Sequence, residues 1–376
     1  MKLLHTRQVG LVVAMFLAIA GCAGGSGKNT RKIKDIAGRE VALPNKVERV
    51  IALGPGALRL VAYLGGIDRI VGIEDMEKRM VKARYFRPYS SILDDSFFKL
   101  PVVGTGGPGK LPDFEKVMMC RPDVIVAVSM DIAQVNNMQF KTGVPVVCLS
   151  YGELGVWRKE AQTSLSLLGK ILDREQRATE LNMYIESCEK DLKERTESIP
   201  KEKKPLVYFG GLSFKGSRGL TSTEAGYLPG KMVNARNLAD GLGKKGHLFI
   251  DKEQILAWNP DVIFIDIGSK AILEQDFEKN RDFYHLLKAA RSGNVFSLLS
   301  YNYYNTNIEI ALLNAYFIGK CLYPAEFEDV DMDRKANEIL NTFLGIGAEK
   351  KMPAYHVVHF PEEGSVSWSL PSPADR

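Results

Sequence analysis

Leu111-Pro-Asp-Phe-Glu115-Lys-Val-Met-Met-Cys-Arg-Pro122-Asp-Val-Ile-Val-Ala127 returns later in the chain as Phe249-Ile-Asp-Lys-Glu253-Gln-Ile-Leu-Ala-Trp-Asn-Pro260-Asp-Val-Ile-Phe-Ile265. In both copies the glutamate stands seven residues before the proline. Each copy reads as a short amphipathic helix, a Pro-Asp turn and an apolar β-branched strand. A duplicated unit of this kind predicts two similar α/β lobes. Each lobe carries a glutamate at an equivalent place, which suits docking on a two-fold symmetric partner.

Working outward, the N-terminus reads as an export signal. Lys2 and Arg7 form a basic start, and Val9 to Ala20 is an apolar run too short and wrongly flanked for a stable membrane span. It ends in Ile19-Ala20-Gly21-Cys22, which resembles a bacterial lipobox. Cys22 is then the lipidated first residue of the mature protein. Attached acyl chains contribute about 0.8 kcal/mol per buried CH₂, enough for two or three of them to hold a protein on a membrane. The expectation is an exported, lipid-anchored protein of the cell envelope, in the periplasm or on the outer face of the cytoplasmic membrane.

Removing residues 1–21 lowers the 50 basic residues to 48 against 45 acidic ones. A net charge of about +3 gives no nucleic-acid signal. Cys120, Cys148, Cys188 and Cys321 are scattered through apolar segments without a CxxC pair. They read as buried free thiols rather than a disulfide framework, although an exported chain can hold one disulfide.

The chain divides into a signal peptide (1–21), a Gly/Ser-rich tether (22–32), an N-terminal lobe (33–172), a connecting helix (173–199), a C-terminal lobe (200–350) and a polar, proline-bearing tail (351–376). The tail reads as disordered or loosely packed. The first lobe opens with a hairpin turning at Ala37-Gly38, then alternates strands with helices, which argues for a mostly parallel sheet. In the second lobe, Thr306 and Glu309 are spaced as a capping box. Between the lobes, Asp173 and Gln176 resemble a cap. Ala178, Leu181, Ile185, Cys188 and Leu192 then form one buried stripe. About 25 helical residues span roughly 38 Å. Such a connector restricts hinge motion.

Several features together resemble one family. They are the lipobox, the Gly38 hairpin, Arg49-Val-Ile-Ala-Leu-Gly54, both Glu-x₆-Pro-Asp-Val-Ile units and the long connecting helix. The resemblance is to the periplasmic substrate-binding proteins of iron–siderophore, haem and cobalamin ABC importers, and it covers roughly residues 33–345. It implies two Rossmann-like lobes joined by a rigid helix, with the ligand in the cleft between them. It also implies one surface glutamate per lobe paired with arginines on the permease, and Glu115 and Glu253 match those positions. Charge-assisted bidentate contacts of this kind fix register and orientation.

Ligands of open α/β sheets bind at the carboxyl ends of strands. That rule nominates Gly54 and Pro55, Thr105 in the Gly-rich loop 104–109, Met130, Tyr151, Phe214, and the loop of Tyr301, Tyr303 and Tyr304. The tyrosines offer flat surface with a polar tip. Arg84, Arg87, Lys215 and Arg218 complement a negatively charged chelate.

Gly104-Thr-Gly-Gly-Pro-Gly109-Lys110-Leu111 mimics nucleotide-binding loops, but Leu111 stands where a Ser or Thr should meet Mg²⁺. His356 and His359 lie in the tail, and His247 is isolated and reads as structural. No catalytic constellation and no resident cofactor or metal site is expected. The reading is a monomeric carrier that is not an enzyme. It captures a metal chelate, foremost an Fe(III)-siderophore, and delivers it to a permease dimer with its ATPase. Haem or cobalamin are alternative cargos. A chelatase-like enzyme or a ligand-sensing surface protein on the same two-lobed fold are alternatives of another class.

Overall fold

The computed structural model describes residues 30–79, 86–152, 158–214, 216–346 and 354–371. The signal segment and Cys22, Arg84 and Lys215 lie outside the described residues. The hairpin Thr30–Lys34 with Glu40–Pro44 opens the fold, turning through Gly38 at positive φ. The last residues assigned to the tether therefore belong to this hairpin.

The N-terminal sheet is five-stranded and wholly parallel. Its order in space is Val102–Gly104, Ile70–Glu74, Val50–Leu53, Val124–Val128, Val146–Leu149. Every residue of Val124–Val128 is buried, as a strand covered by helices on both faces requires. Side chains alternate between the faces. Val124, Val126 and Val128 enter one apolar cluster, while Ile125 and Ala127 enter another with Val117, Val135 and Met138.

The C-terminal sheet runs Arg236–Asn237, Leu206–Gly210, Val262–Asp266, Val295–Leu298, Val357–His359, Ser367–Ser369. The first four strands are parallel and the last two antiparallel. Residues 354–371 are thus not a loose tail. They form a hairpin that covers the open edge of strand Val295–Leu298, where unpaired backbone groups needed partners. Val358 is fully buried and the Trp368 indole donates to Glu274 (2.9 Å), so the polar composition concealed an inward-facing set. A separate antiparallel pair, Ser222–Ala225 with Gly246–Phe249, lies after the first strand of this lobe.

The connecting helix is Glu175–Thr196, 22 residues and about 33 Å long. Its buried stripe is Ala178, Leu181, Ile185, Cys188, Leu192 and Thr196. Asp173 does not cap it. That residue sits at positive φ and accepts from Arg31 (3.1 Å), and the helix begins after Arg174 without a side-chain cap. Arg177 fastens the helix to both lobes, donating to the carbonyls of Tyr63 (3.1 Å) and Thr342.

Helix Ile308–Leu322 has every residue but one buried, and it also lacks the expected capping box. Glu309 turns inward and accepts from the Tyr63 hydroxyl of the other lobe. One apolar cluster runs without a break from Val50 and Leu165 through the connecting helix to Phe264 and Leu313. The lobes therefore share a core as well as a connector. Cys120, Cys148, Cys188 and Cys321 are free thiols.

Candidate functional site

Both lobes reverse their winding at the first strand, the place where open α/β sheets bind ligands at the carboxyl ends of strands. In the N-terminal lobe this end is Gly54-Pro55-Gly56, fully buried. A Cβ on Gly54 would lie 2.1 Å from the Val128 carbonyl oxygen, and one on Gly56 2.7 Å from the Tyr151 ring. The missing side chains thus serve close packing within the protein. Tyr151 is buried and its hydroxyl donates to the Gly56 carbonyl (3.0 Å), so it supports the loop from beneath.

Arg87 is placed differently from its sequence reading. It is fully buried, donates to Glu77 at 2.6 Å and lies beside the Tyr89 hydroxyl at 2.9 Å. Its Nη1 braces the wall of the lobe, while Nε and Nη2 are buried without a hydrogen-bond partner among the described residues. Thr105 is exposed and Met130 half-buried on the rim.

The tyrosine loop bridges the two lobes at these strand ends. Tyr304, at positive φ, reaches across to the N-terminal lobe. Its hydroxyl donates to Glu74 (2.9 Å) and accepts from the Gly107 backbone (3.0 Å). Tyr303 stacks on Phe86 at 5.1 Å. Tyr301 is buried edge-on against Tyr227. Behind them Arg59, fully buried, donates to the carbonyls of Thr306 and Tyr303 (2.9 Å each) and Tyr304 (3.3 Å). Asn305 donates to the Pro55 carbonyl (3.1 Å) and Asn307 to that of Phe86 (3.0 Å). Composition gave no signal for Arg59 or Glu74, because their roles depend on a partner some 230 residues away.

Glu74 ends its strand and is also held by the Gly54 backbone N–H (3.0 Å). Burial pushes its carboxyl up to about 7. In the C-terminal lobe burial likewise pushes Glu224 up to about 7 and Asp266 to about 6. A raised folded pKa means that the native state binds the proton more tightly than the unfolded chain. These groups therefore stabilise fully at low pH, and stability falls as pH rises through the folded pKa. The contribution of these three carboxyls to stability is expected to decline between about pH 5 and 7, opposed by His247 and His356, whose lowered pKa values act in the other direction. Glu74→Gln should flatten its share of that decline and raise stability at pH 8 by at most roughly 3 kcal/mol. A variant with the unaltered pH slope counts against this account.

On the cleft side of the C-terminal lobe, loop 211–221 brings two predicted residues together with two that the sequence left out. Phe214 stacks flat on His247, with ring centroids 4.0 Å apart and planes 7° apart. Phe249 also meets His247 edge-on, with ring centroids 4.7 Å apart. Arg218 donates to the Phe214 carbonyl (2.9 Å), and its guanidinium carbon lies 5.8 Å from the Phe249 ring centroid. One nitrogen of His247 meets the Ser222 hydroxyl at 2.7 Å. Burial and the Arg218 charge hold its imidazolium pKa below the usual value, so at neutral pH it is an uncharged nitrogen donor. The alternation of His247 and Phe249 on one strand was the only available clue.

Glu115 and Glu253 occupy equivalent places. Each is the second residue of a short helix, Phe114–Met119 or Lys252–Trp258, and each helix is capped by an aspartate, Asp113 or Asp251. Both glutamates are exposed, and neither forms an ion pair among the described residues. Asp113 N–H donates to the Val103 carbonyl (2.7 Å), which puts the start of its helix at the carboxyl end of the sheet, level with the cleft.

Comparison with known proteins matches this architecture. The molybdate-binding protein MolA of Haemophilus influenzae is 22% identical over 335 residues, 83% of this chain and 90% of its own. An uncharacterized ABC transporter substrate-binding lipoprotein of Bacillus subtilis, YvrC, is 23% identical over 287 residues, 70% of this chain and 82% of its own. Among solved structures, molybdate-bound MolA superposes with a TM-score of 0.66 at 20% identity, covering 84% of this chain and 98% of that one. Helicobacter pylori CeuE with Ni(II) bound gives 0.61 at 20% identity, covering 85% and 98%. At these identities the structures attest the fold. Residues 50–301, two thirds of the chain, match the periplasmic binding protein family, and the chain belongs to that family as the solute-binding component of an ABC importer rather than an enzyme.

Proposed function

We propose that this protein is a lipid-anchored, monomeric carrier that captures an anionic metal chelate, an Fe(III)-siderophore, between its lobes and hands it to a permease. The observation that carries the ligand reading is the cluster of Phe214, Arg218 and His247. A neutral imidazole offers a lone pair to a chelated metal with an open position. The Phe214 ring offers flat apolar surface, and the Arg218 guanidinium complements the chelate's charge. No group of three or more metal-ligating side chains stands together among the described residues, which favours a metal that arrives already wrapped.

Calorimetric titration should separate the cargos. The panel is Fe(III)-catecholate and Fe(III)-hydroxamate chelates, haem, cobalamin, and the molybdate and Ni(II) seen with relatives. Saturable binding of an iron chelate is expected. Arg218→Ala should weaken it about tenfold or more, and His247→Ala should also shift the chelate's charge-transfer band. Binding of molybdate or bare Ni(II) alone overturns the reading.

The anchor rests on Ile19-Ala-Gly-Cys22. Cys22→Ser should abolish lipid labelling in cells and leave the soluble protein able to bind ligand. Labelling that persists in this variant excludes Cys22 as the lipidated residue. Docking is assigned to Glu115 and Glu253, one unpaired carboxylate on each lobe, facing a two-fold permease with basic pockets.

A further inference from the structure

The duplication extends beyond the glutamates. Four residues before Glu115 stands Leu111, and four before Glu253 stands Phe249. Both are exposed large apolar side chains, Leu111 at 38% and Phe249 at 60%. The residue that follows each one packs inward: Pro112 is buried and Ile250 joins the margin of an apolar cluster. Each lies just ahead of its helix, Phe114–Met119 or Lys252–Trp258. That inward turn leaves Leu111 and Phe249 facing out beside the capping aspartate.

The fold accounts for one part of this pattern and not the other. A glutamate early in a helix is favoured by the helix dipole. An exposed leucine or phenylalanine gains nothing there. Single exposed apolar residues are ordinary. Two at matching positions of a duplicated unit, each beside an unpaired carboxylate, are a repeated surface feature. Phe249 is also held in place, with Arg218 near its ring and His247 against its edge. A restrained side chain loses little entropy on burial.

We infer that Leu111 and Phe249 are the apolar halves of two matching docking contacts, each seating in an apolar recess of the permease beside the basic group that receives Glu115 or Glu253. This rests on the docking role proposed for the two glutamates. The partner is a membrane protein with two-fold symmetry, because only such a surface repeats one recess-and-cation pair at two sites. Contacts of this composition, a packed apolar anchor with a flanking charge pair, concentrate binding energy in few residues.

The test uses the intact protein and its permease–ATPase complex in lipid nanodiscs, with affinity read by biolayer interferometry. Phe249→Ser should weaken docking about tenfold or more, and Leu111→Ser less, in keeping with its smaller exposed area. The double variant should lose more than about 100-fold, with an unchanged melting temperature. Leu111→Met and Phe249→Met, which keep apolar bulk, should dock nearly as the unaltered protein does. Glu115→Arg and Glu253→Arg serve as the reference. If they abolish docking while both serine variants bind normally, the apolar contacts are wrong and the glutamate assignment stands. If neither set changes docking, both fail. Loss of docking by the methionine variants equal to that of the serine variants also overturns the inference.

Discussion

Glu115→Arg combined with Glu253→Arg is expected to stop transport while leaving ligand capture intact. Each substitution sets a guanidinium against the basic pocket proposed to receive a carboxylate, and like charges at a contact cost several kcal/mol. One reversal should cut stimulation of the transporter's ATPase by roughly 100-fold, and the pair should remove it. Solution affinity for the chelate should stay near that of the unaltered protein, because both side chains are exposed on the outer helices and take no part in the Phe214–His247 cluster. Stability should fall by only about 1–2 kcal/mol per site, the helix-dipole cost, since neither glutamate has an ion-pair partner among the described residues to lose. The two quantities must be measured on the same variants. Weakened ligand binding with normal ATPase stimulation would reverse the assignment.

Arg59→Ala should destabilise the fold more than any surface change. Arg59 is fully buried and supplies donors to the carbonyls of Thr306, Tyr303 and Tyr304 in the opposite lobe. Its guanidinium carbon also lies 5.2 Å from the Tyr89 ring centroid. Removing the fork leaves buried carbonyls without donors and opens a cavity at the seam, a loss of about 3–5 kcal/mol. Arg59→Lys keeps the charge but cannot span three acceptors, so it should recover only part of that loss. Urea unfolding followed by tyrosine fluorescence reads the effect. An unchanged midpoint for Arg59→Ala would show that the seam is held by the shared apolar core alone.

Much of the architecture was legible because it is encoded locally. A short β-branched apolar run behind a Pro-Asp turn, such as Val124–Val128, reads as an interior strand. The Ala178 to Leu192 stripe can only be one face of a helix. The glutamate-to-proline spacing repeated because two lobes use the same helix, turn and strand. Capping was less legible. Asp173 and the Thr306–Glu309 pair have cap-like spacing, yet Asp173 is taken by Arg31 and Glu309 by Tyr63. Those partners are more than 140 residues away along the chain, and no local pattern reports them.

The ligand loops divide the same way. Strand-end position nominated Tyr151 and Phe214, and positive charge nominated Arg87 and Arg218. Only packing showed that Tyr151 and Arg87 are buried within the N-terminal lobe while Phe214 and Arg218 meet beside His247. The sequence by itself determined the two α/β lobes, the connecting helix and the matched places of Glu115 and Glu253, since these follow from periodicity and repetition along the chain. Only the tertiary structure decided that the lobes share one core, that Arg59 and Tyr304 close the seam, and that the C-terminal residues finish a sheet. Those outcomes depend on which distant groups can satisfy a buried charge or an open strand edge, and that choice is made in space.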